Sequence, residues 1–151
     1  MKKLLSTLFL LTCLLGVNAQ STDTTANQKI GGYRIEQDEV VFVFNPYEHN
    51  DYLTSYGMWK SKPDVKIKTV TLCGEFNSWM TNDKLHVMKP VGNTYEYRMK
   101  LSEFKGKTKI EFKYVVNKKY WAEPNSYFSN LTQSLMEFTN PKNFVLNLVQ
   151  P

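Results

Sequence analysis

From Tyr33 onward, apolar residues recur with the period of two that marks strands, and no stretch carries sustained helical spacing with caps. The clearest instance is 109–117. Ile110, Phe112, Tyr114 and Val116 fall on one face there, while Glu111, Lys113, Val115 and Asn117 fall on the other. The first set reads as core and the second as the opposite face, which makes Lys113 an ordinary solvated lysine. A strand is predicted over 39–44, where residues 40–44, Val-Val-Phe-Val-Phe, are apolar on both parities, as in a strand covered on both sides. Their β-branched and aromatic content favours strand over buried helix.

Further strands are predicted at 33–36, 65–73, 85–91, 94–101 and 143–149, with Gln37-Asp38 and Gly92-Asn93 as hairpin turns. Val40, Phe42, Leu72, Phe76, Ile110, Phe112, Tyr114 and Val145 are the expected core. The segment 45–63 breaks the pattern with Pro46, Tyr47, His49, Tyr52, Tyr56, Met58 and Trp59. So many aromatics point to a loop folded over one end of the domain or to an accessory binding lip. The whole reads as an all-β antiparallel sandwich of seven or eight strands.

The N-terminal end carries a different pattern. Lys2 and Lys3 precede an almost wholly apolar run, and Val17-Asn18-Ala19 has the small-residue spacing of a signal peptidase site. Residues 1–19 are therefore expected to be a signal peptide, 20–32 a flexible polar lead-in, and 33–151 a single domain that is secreted or periplasmic. Leu10-Leu11-Thr12-Cys13 offers lipidation at Cys13 as a poorer alternative, because Thr12 is an ill fit before the cysteine. Nothing later is apolar enough to span a membrane.

Charge and cysteine content narrow the chemistry. The chain has 19 Lys and Arg against 14 Asp and Glu, and losing Lys2 and Lys3 lowers its net charge from +5 to +3. The lysines are spread among acidic and aromatic residues, which argues against nucleic acid. Beyond the leader Cys73 is the one cysteine, so the mature monomer holds no disulfide. No base motif surrounds it, and it reads as a small half-buried strand residue. Glu75, Glu111 and Glu123 show no paired acid/base setting, and no nucleophile elbow, phosphate loop or zinc spacing occurs. The chain is read as non-catalytic, without metal or cofactor.

Two short segments remain. Gly74-Glu75-Phe76-Asn77-Ser78-Trp79 sets an aromatic on a turn after a strand. Phe112-Lys113-Tyr114-Val115-Val116 then runs through Asn117-Lys118-Lys119 into Tyr120-Trp121 and stops at Pro124. Together they resemble the glycogen-binding module of AMP-activated protein kinase beta subunits, carbohydrate-binding module family 48 of the early-set immunoglobulin-like domains. The resemblance covers roughly residues 65–149.

The resemblance implies an immunoglobulin-like fold and α-glucan binding. In that family the turn aromatic stacks on glucose, a role that falls to Trp79, and the strand lysine bonds sugar hydroxyls, a role that falls to Lys113. A second stacking aromatic aligns with Tyr120 without a gap and with Trp121 after a one-residue insertion. Trp121 is favoured, since the turn lacks the family's Asp-Gly. Adjacent strand residues face opposite ways, so one of the two meets the ligand. Asn77 and Asn117 could supply further donors and acceptors. In the late loop, 135–143, no residue-for-residue match is convincing, and Asn140 is the nearest candidate. Trp79 could equally plug the end of the core. The alternative to a glucan-binding module is then an early-set module that binds a protein partner at the cell envelope.

Overall fold

A computed structural model describes residues 29–53, 59–61, 66–133 and 142–148. The expected leader, its cleavage site, Cys13, most of the lead-in and Asn140 lie outside those residues. The described chain is all-β, with eleven strands in two antiparallel sheets. One sheet holds four strands in the order β1 (Tyr33–Glu36), β2 (Glu39–Phe44), β7 (Thr94–Lys100) and β6 (Lys89–Val91). The other holds seven: β10 (Leu131–Gln133), β11 (Lys142–Asn147), β8 (Lys109–Val116), β9 (Tyr120–Pro124), β3 (His49–Leu53) and β4 (Trp59–Ser61) in line, with β5 (Val70–Gly74) on the remaining edge of β8.

β8 organises the larger sheet. β11 pairs with its first half, β9 with its second, and β5 lies along the opposite edge from Phe112 to Val116. The free edge of β5 is taken by the segment leading into β6, through Leu72 N–H to the His86 carbonyl and Met88 N–H to the Val70 carbonyl, both at 2.9 Å. That segment then crosses to the four-stranded sheet, so one stretch of chain closes an edge and joins the two layers.

The core lies between the sheets. Phe112 meets Phe42 of the facing sheet edge-on at 4.9 Å and stacks on Phe144 at 5.4 Å. Tyr114 is fully buried, yet its hydroxyl shares its one proton between the Val43 carbonyl, at 3.1 Å, and the Gly32 carbonyl. The hydroxyl thus bonds the β2 backbone, and burial holds it protonated well above the usual tyrosine range.

The predicted hairpin of β1 and β2 has the observed bounds, with Gln37 in the left-handed region at φ 55°. Elsewhere the bounds shift. The strands predicted at 65–73 and 85–91 are observed as Val70–Gly74 and Lys89–Val91. At the start of the second segment the Asp83 carboxylate accepts the Leu85 N–H at 2.8 Å and turns the chain. Val145 is not core: it registers with Glu111 on the outer face and is half-buried, leaving Phe144 and Leu146 to the core. The segment 45–63 is less of a loop than expected, since it contains a short 3-10 turn at Pro46–Glu48 and the strands β3 and β4.

The outer face of the larger sheet is also largely covered, which alternation alone did not predict. Val115, Thr71 and Cys73 are fully buried on it. Cys73, expected half-buried, is fully so. Burial, with the Asp83 charge second, pushes its thiol up to about 12, which keeps it in the protonated, weakly nucleophilic form near neutral pH.

Candidate functional site

The Trp79 turn begins where β5 must end. A Cβ on Gly74 would stand 2.6 Å from the Glu111 carbonyl and 2.7 Å from the Phe76 ring, so only glycine fits. Glu75–Asn77 form one 3-10 turn, after which Ser78 and Trp79 both enter the left-handed region, at φ 52° and 60°. Two such non-glycine residues in succession cost about 1–2 kcal/mol each, and conformations of this kind persist where the surroundings over-determine them. Trp79 N–H is held by the Gly74 carbonyl at 3.0 Å and Met80 N–H by the Asn77 carbonyl at 3.2 Å.

The Asn77 side chain is buried and engaged within this turn. Its Oδ1 accepts from Gly74 N–H at 3.0 Å, while its Nδ2 donates to the Leu72 carbonyl at 3.0 Å and to Asp83 at 3.1 Å. Asp83 also meets His86 Nδ1 at 2.6 Å, and the His86 ring lies between Phe76 and Tyr97 at 5.2 and 5.3 Å. Burial pushes the Asp83 carboxyl up. Hydrogen bonds from Leu85, His86 and Asn77 outweigh it and hold the group below the usual carboxylate range. Asp83 and His86 are thus the anchors of the loop that carries Trp79. The sequence showed no motif around them.

Across from the turn, β9 separates the two adjacent aromatics. Tyr120 packs against the core, and the Lys119 ammonium lies 5.3 Å over its ring. Trp121 registers with Val115 on the other face. Its ring centroid is 6.2 Å from that of Trp79, with the planes at 57°. Both indoles are half-buried, and neither belongs to the core cluster.

Lys113 shares the face of Trp121 but not its access to solvent. It is 3% exposed and ion-paired with Glu123, which is 6% exposed and also accepts the Lys142 N–H. Desolvation pulls the ammonium below its ordinary range of 10.5, with Glu123 acting in the opposite direction. The expectation of a solvated lysine is therefore corrected, and a sugar cannot reach this amine without displacing its carboxylate. The pairing was latent in the hairpin register: with Tyr114 opposite Ala122, Lys113 and Glu123 are neighbours across the strands.

Asn117 is likewise occupied. Its Oδ1 accepts from Lys68 N–H at 2.7 Å and Thr69 N–H at 3.2 Å, and its Nδ2 donates to the Lys66 carbonyl at 3.1 Å. Of the residues expected at the site, Trp79 and Trp121 come together on one surface. Tyr120, Asn77, Asn117 and Lys113 are engaged elsewhere. Among the described residues, no group of three or more His, Cys, Asp or Glu is arranged to hold a metal ion.

Near the lysine-rich β8–β9 turn lies an open groove of about 320 Å³, lined by Pro46, Tyr47, Ile67, Pro90 and residues 92–95. Tyr47, from the aromatic segment, is 80% exposed on its rim.

No family model matches the chain. Part of it is similar to the autophagy receptor ATG45 of Saccharomyces cerevisiae, with 34% identity over 67 residues, which is 44% of this chain and 34% of that protein. The chain thus spans about a third of that relative's length.

Proposed function

We propose that this protein is a secreted or periplasmic, non-catalytic carbohydrate-binding module whose ligand is an α-glucan of the glycogen or starch type. The observation that carries this reading is the Trp79–Trp121 pair, two indoles outside the core at 6.2 Å and 57°. The C–H faces of a pyranose are apolar and pack on electron-rich aromatic faces, and two tilted rings offer such surfaces to neighbouring sugars. The strained backbone beneath Trp79 adds support, because strain of this kind gathers at ligand sites. With Lys113, Asn77 and Asn117 engaged in the fold, few edge hydrogen bonds remain, so affinity falls at the weak end, about 1 mM or −4 kcal/mol.

Affinity electrophoresis through glycogen tests the proposal. The intact protein is retarded, and Trp79→Ala and Trp121→Ala each migrate freely while keeping their melting temperatures within a few degrees. Free migration of the intact protein overturns it. The second reading, a module that docks a protein partner at the cell envelope, is favoured by that same engagement of the expected polar groups and by the likeness to a receptor. It takes over if the intact protein migrates freely and Trp79→Ala sharply lowers the melting temperature, as for an indole that plugs the core.

A further inference from the structure

The lysines, dispersed along the sequence, are gathered by the fold. Asn117 ties the segment 66–69 to the β8–β9 turn through three side-chain bonds, and its own N–H donates to the Thr69 carbonyl at 2.8 Å. This brings Lys66, Lys68, Lys118 and Lys119 to one end of the sandwich, all four exposed. Among the described residues none of them forms an ion pair. The other basic group of the domain behaves differently. Arg34, Arg98 and Lys100, on the outer face of the four-stranded sheet, each meet carboxylates of Glu36, Glu39, Glu96 or Asp38 at 2.6–3.2 Å.

A second feature sets this end apart. The turn puts Asn117 and Lys118 in the left-handed region, at φ 52° and 58°, with Lys119 N–H closing on the Val116 carbonyl at 3.1 Å. Glycine would hold the Lys118 position without strain. A lysine there adds positive charge at a conformational cost. Trp121 follows Lys119 by two residues, about 7 Å along an extended strand. Ile67, between Lys66 and Lys68, lines the groove bordered by Tyr47 and Tyr95.

We propose that this end binds the acidic substituents, sulfate, phosphate or carboxylate, of a charged glycan whose sugar rings engage the aromatic surfaces beside it. The choice of a glycan over another polyanion rests on the reading of Trp79 and Trp121 as a sugar platform, and the lysine cluster adds the charge of the ligand. Ammonium groups without carboxylate partners attract such substituents and release the counterions condensed on the polymer, so binding weakens as salt rises.

Amylose in three forms, unmodified, sulfated and phosphorylated, tests this on one backbone, with a duplex DNA as the competing polyanion. The intact protein binds at least one charged form about tenfold more tightly than the unmodified form at low salt, and the gap closes as salt is added. Replacing Lys66, Lys68, Lys118 and Lys119 by Gln abolishes the gap and leaves binding to unmodified amylose as it was. Replacing Lys105, Lys107 and Lys109, exposed on the connection into β8 and at its first residue, by Gln leaves the gap in place. Lys118→Gly serves as a second probe, narrowing the gap while raising the melting temperature through relief of strain. Absence of a gap, equal loss in the two lysine sets, or DNA binding as tight as that of the charged amyloses overturns the proposal. Failure of the neutral-glucan reading appears separately, as no binding to unmodified amylose.

Discussion

The outer faces of the two sheets carry the same kind of residue in opposite circumstances. On the four-stranded sheet, Arg34, Arg98 and Lys100 stand among carboxylates in water. On the seven-stranded sheet, Lys113 and Glu123 form one pair almost wholly removed from it. In the sequence both are charges alternating with apolar residues. Alternation identifies the face a side chain points to, and leaves open whether anything lies above that face. The energetic consequences diverge: exposed pairs contribute little, whereas a buried pair is costly to break by halves.

The largest test of this contrast is Lys113→Ala. It strands the Glu123 carboxylate in a dry environment, and denaturant unfolding should show a loss of about 3–5 kcal/mol. Lys113→Met combined with Glu123→Gln removes both charges and keeps an acceptor for Lys142 N–H, and should recover most of that loss. A loss below about 1 kcal/mol for Lys113→Ala would mean that water reaches the pair after all.

An intermediate effect appears in alkali, where two lysines titrate with opposite sign. The folded pKa of Lys113 lies below 10.5. Between that value and 10.5 the unfolded chain binds more protons than the folded one, so this residue makes stability rise with pH. Lys100, hydrogen-bonded to Glu39 and Asp38, has a folded pKa above 10.5. Its stabilising contribution is complete below 10.5 and is lost as the pH climbs through the folded value. Urea midpoints measured stepwise into alkali should show Lys113→Met losing a rise and Lys100→Met losing a fall. The same change of slope in both variants would refute the contrast.

Arg98→Ala should have the smallest effect. A slight drop in melting temperature at low salt, gone at high salt, is expected of a screened network. A drop comparable to that of Lys113→Ala would show that the two faces are energetically alike.

Much of the sandwich was legible because its strands are long, alternating or aromatic. β1, β2, β7 and β8 stand out in this way, and Phe42, Phe112 and Tyr114 fall in the core as their parity requires. β3 escaped notice because His-Asn-Asp-Tyr-Leu, just after Pro46, carries no alternation. β4 and β10, three residues each, are too short to show a period. Val145 was misassigned because 144–146 is apolar on both parities, and only pairing with β8 decides the face. At the site, the motif around Trp79 was visible. The demands on Asn77 and Asn117 were not, because they come from backbone groups placed by the turns. The lysine cluster was invisible for the same reason: Lys66 and Lys118 lie 52 positions apart and meet through the β5–β8 pairing and the bonds of Asn117.

The short strand β6 bears on how copies of this protein behave toward one another. It lies at the rim of its sheet, all three residues exposed, joined to β7 through Gly92-Asn93, with Gly92 at φ 57°. In a two-residue hairpin the flanking pair, Val91 and Thr94, exchanges hydrogen bonds, so the outward donor of the strand falls one residue earlier, at Pro90. Proline has no N–H to give. A strand from another molecule finds carbonyls but no donor along this rim, while the equivalent rim of β5 is already filled by 86–88. The domain thereby closes two routes by which sandwiches assemble edge to edge into aggregates, so its copies can crowd together without their sheets adding to one another.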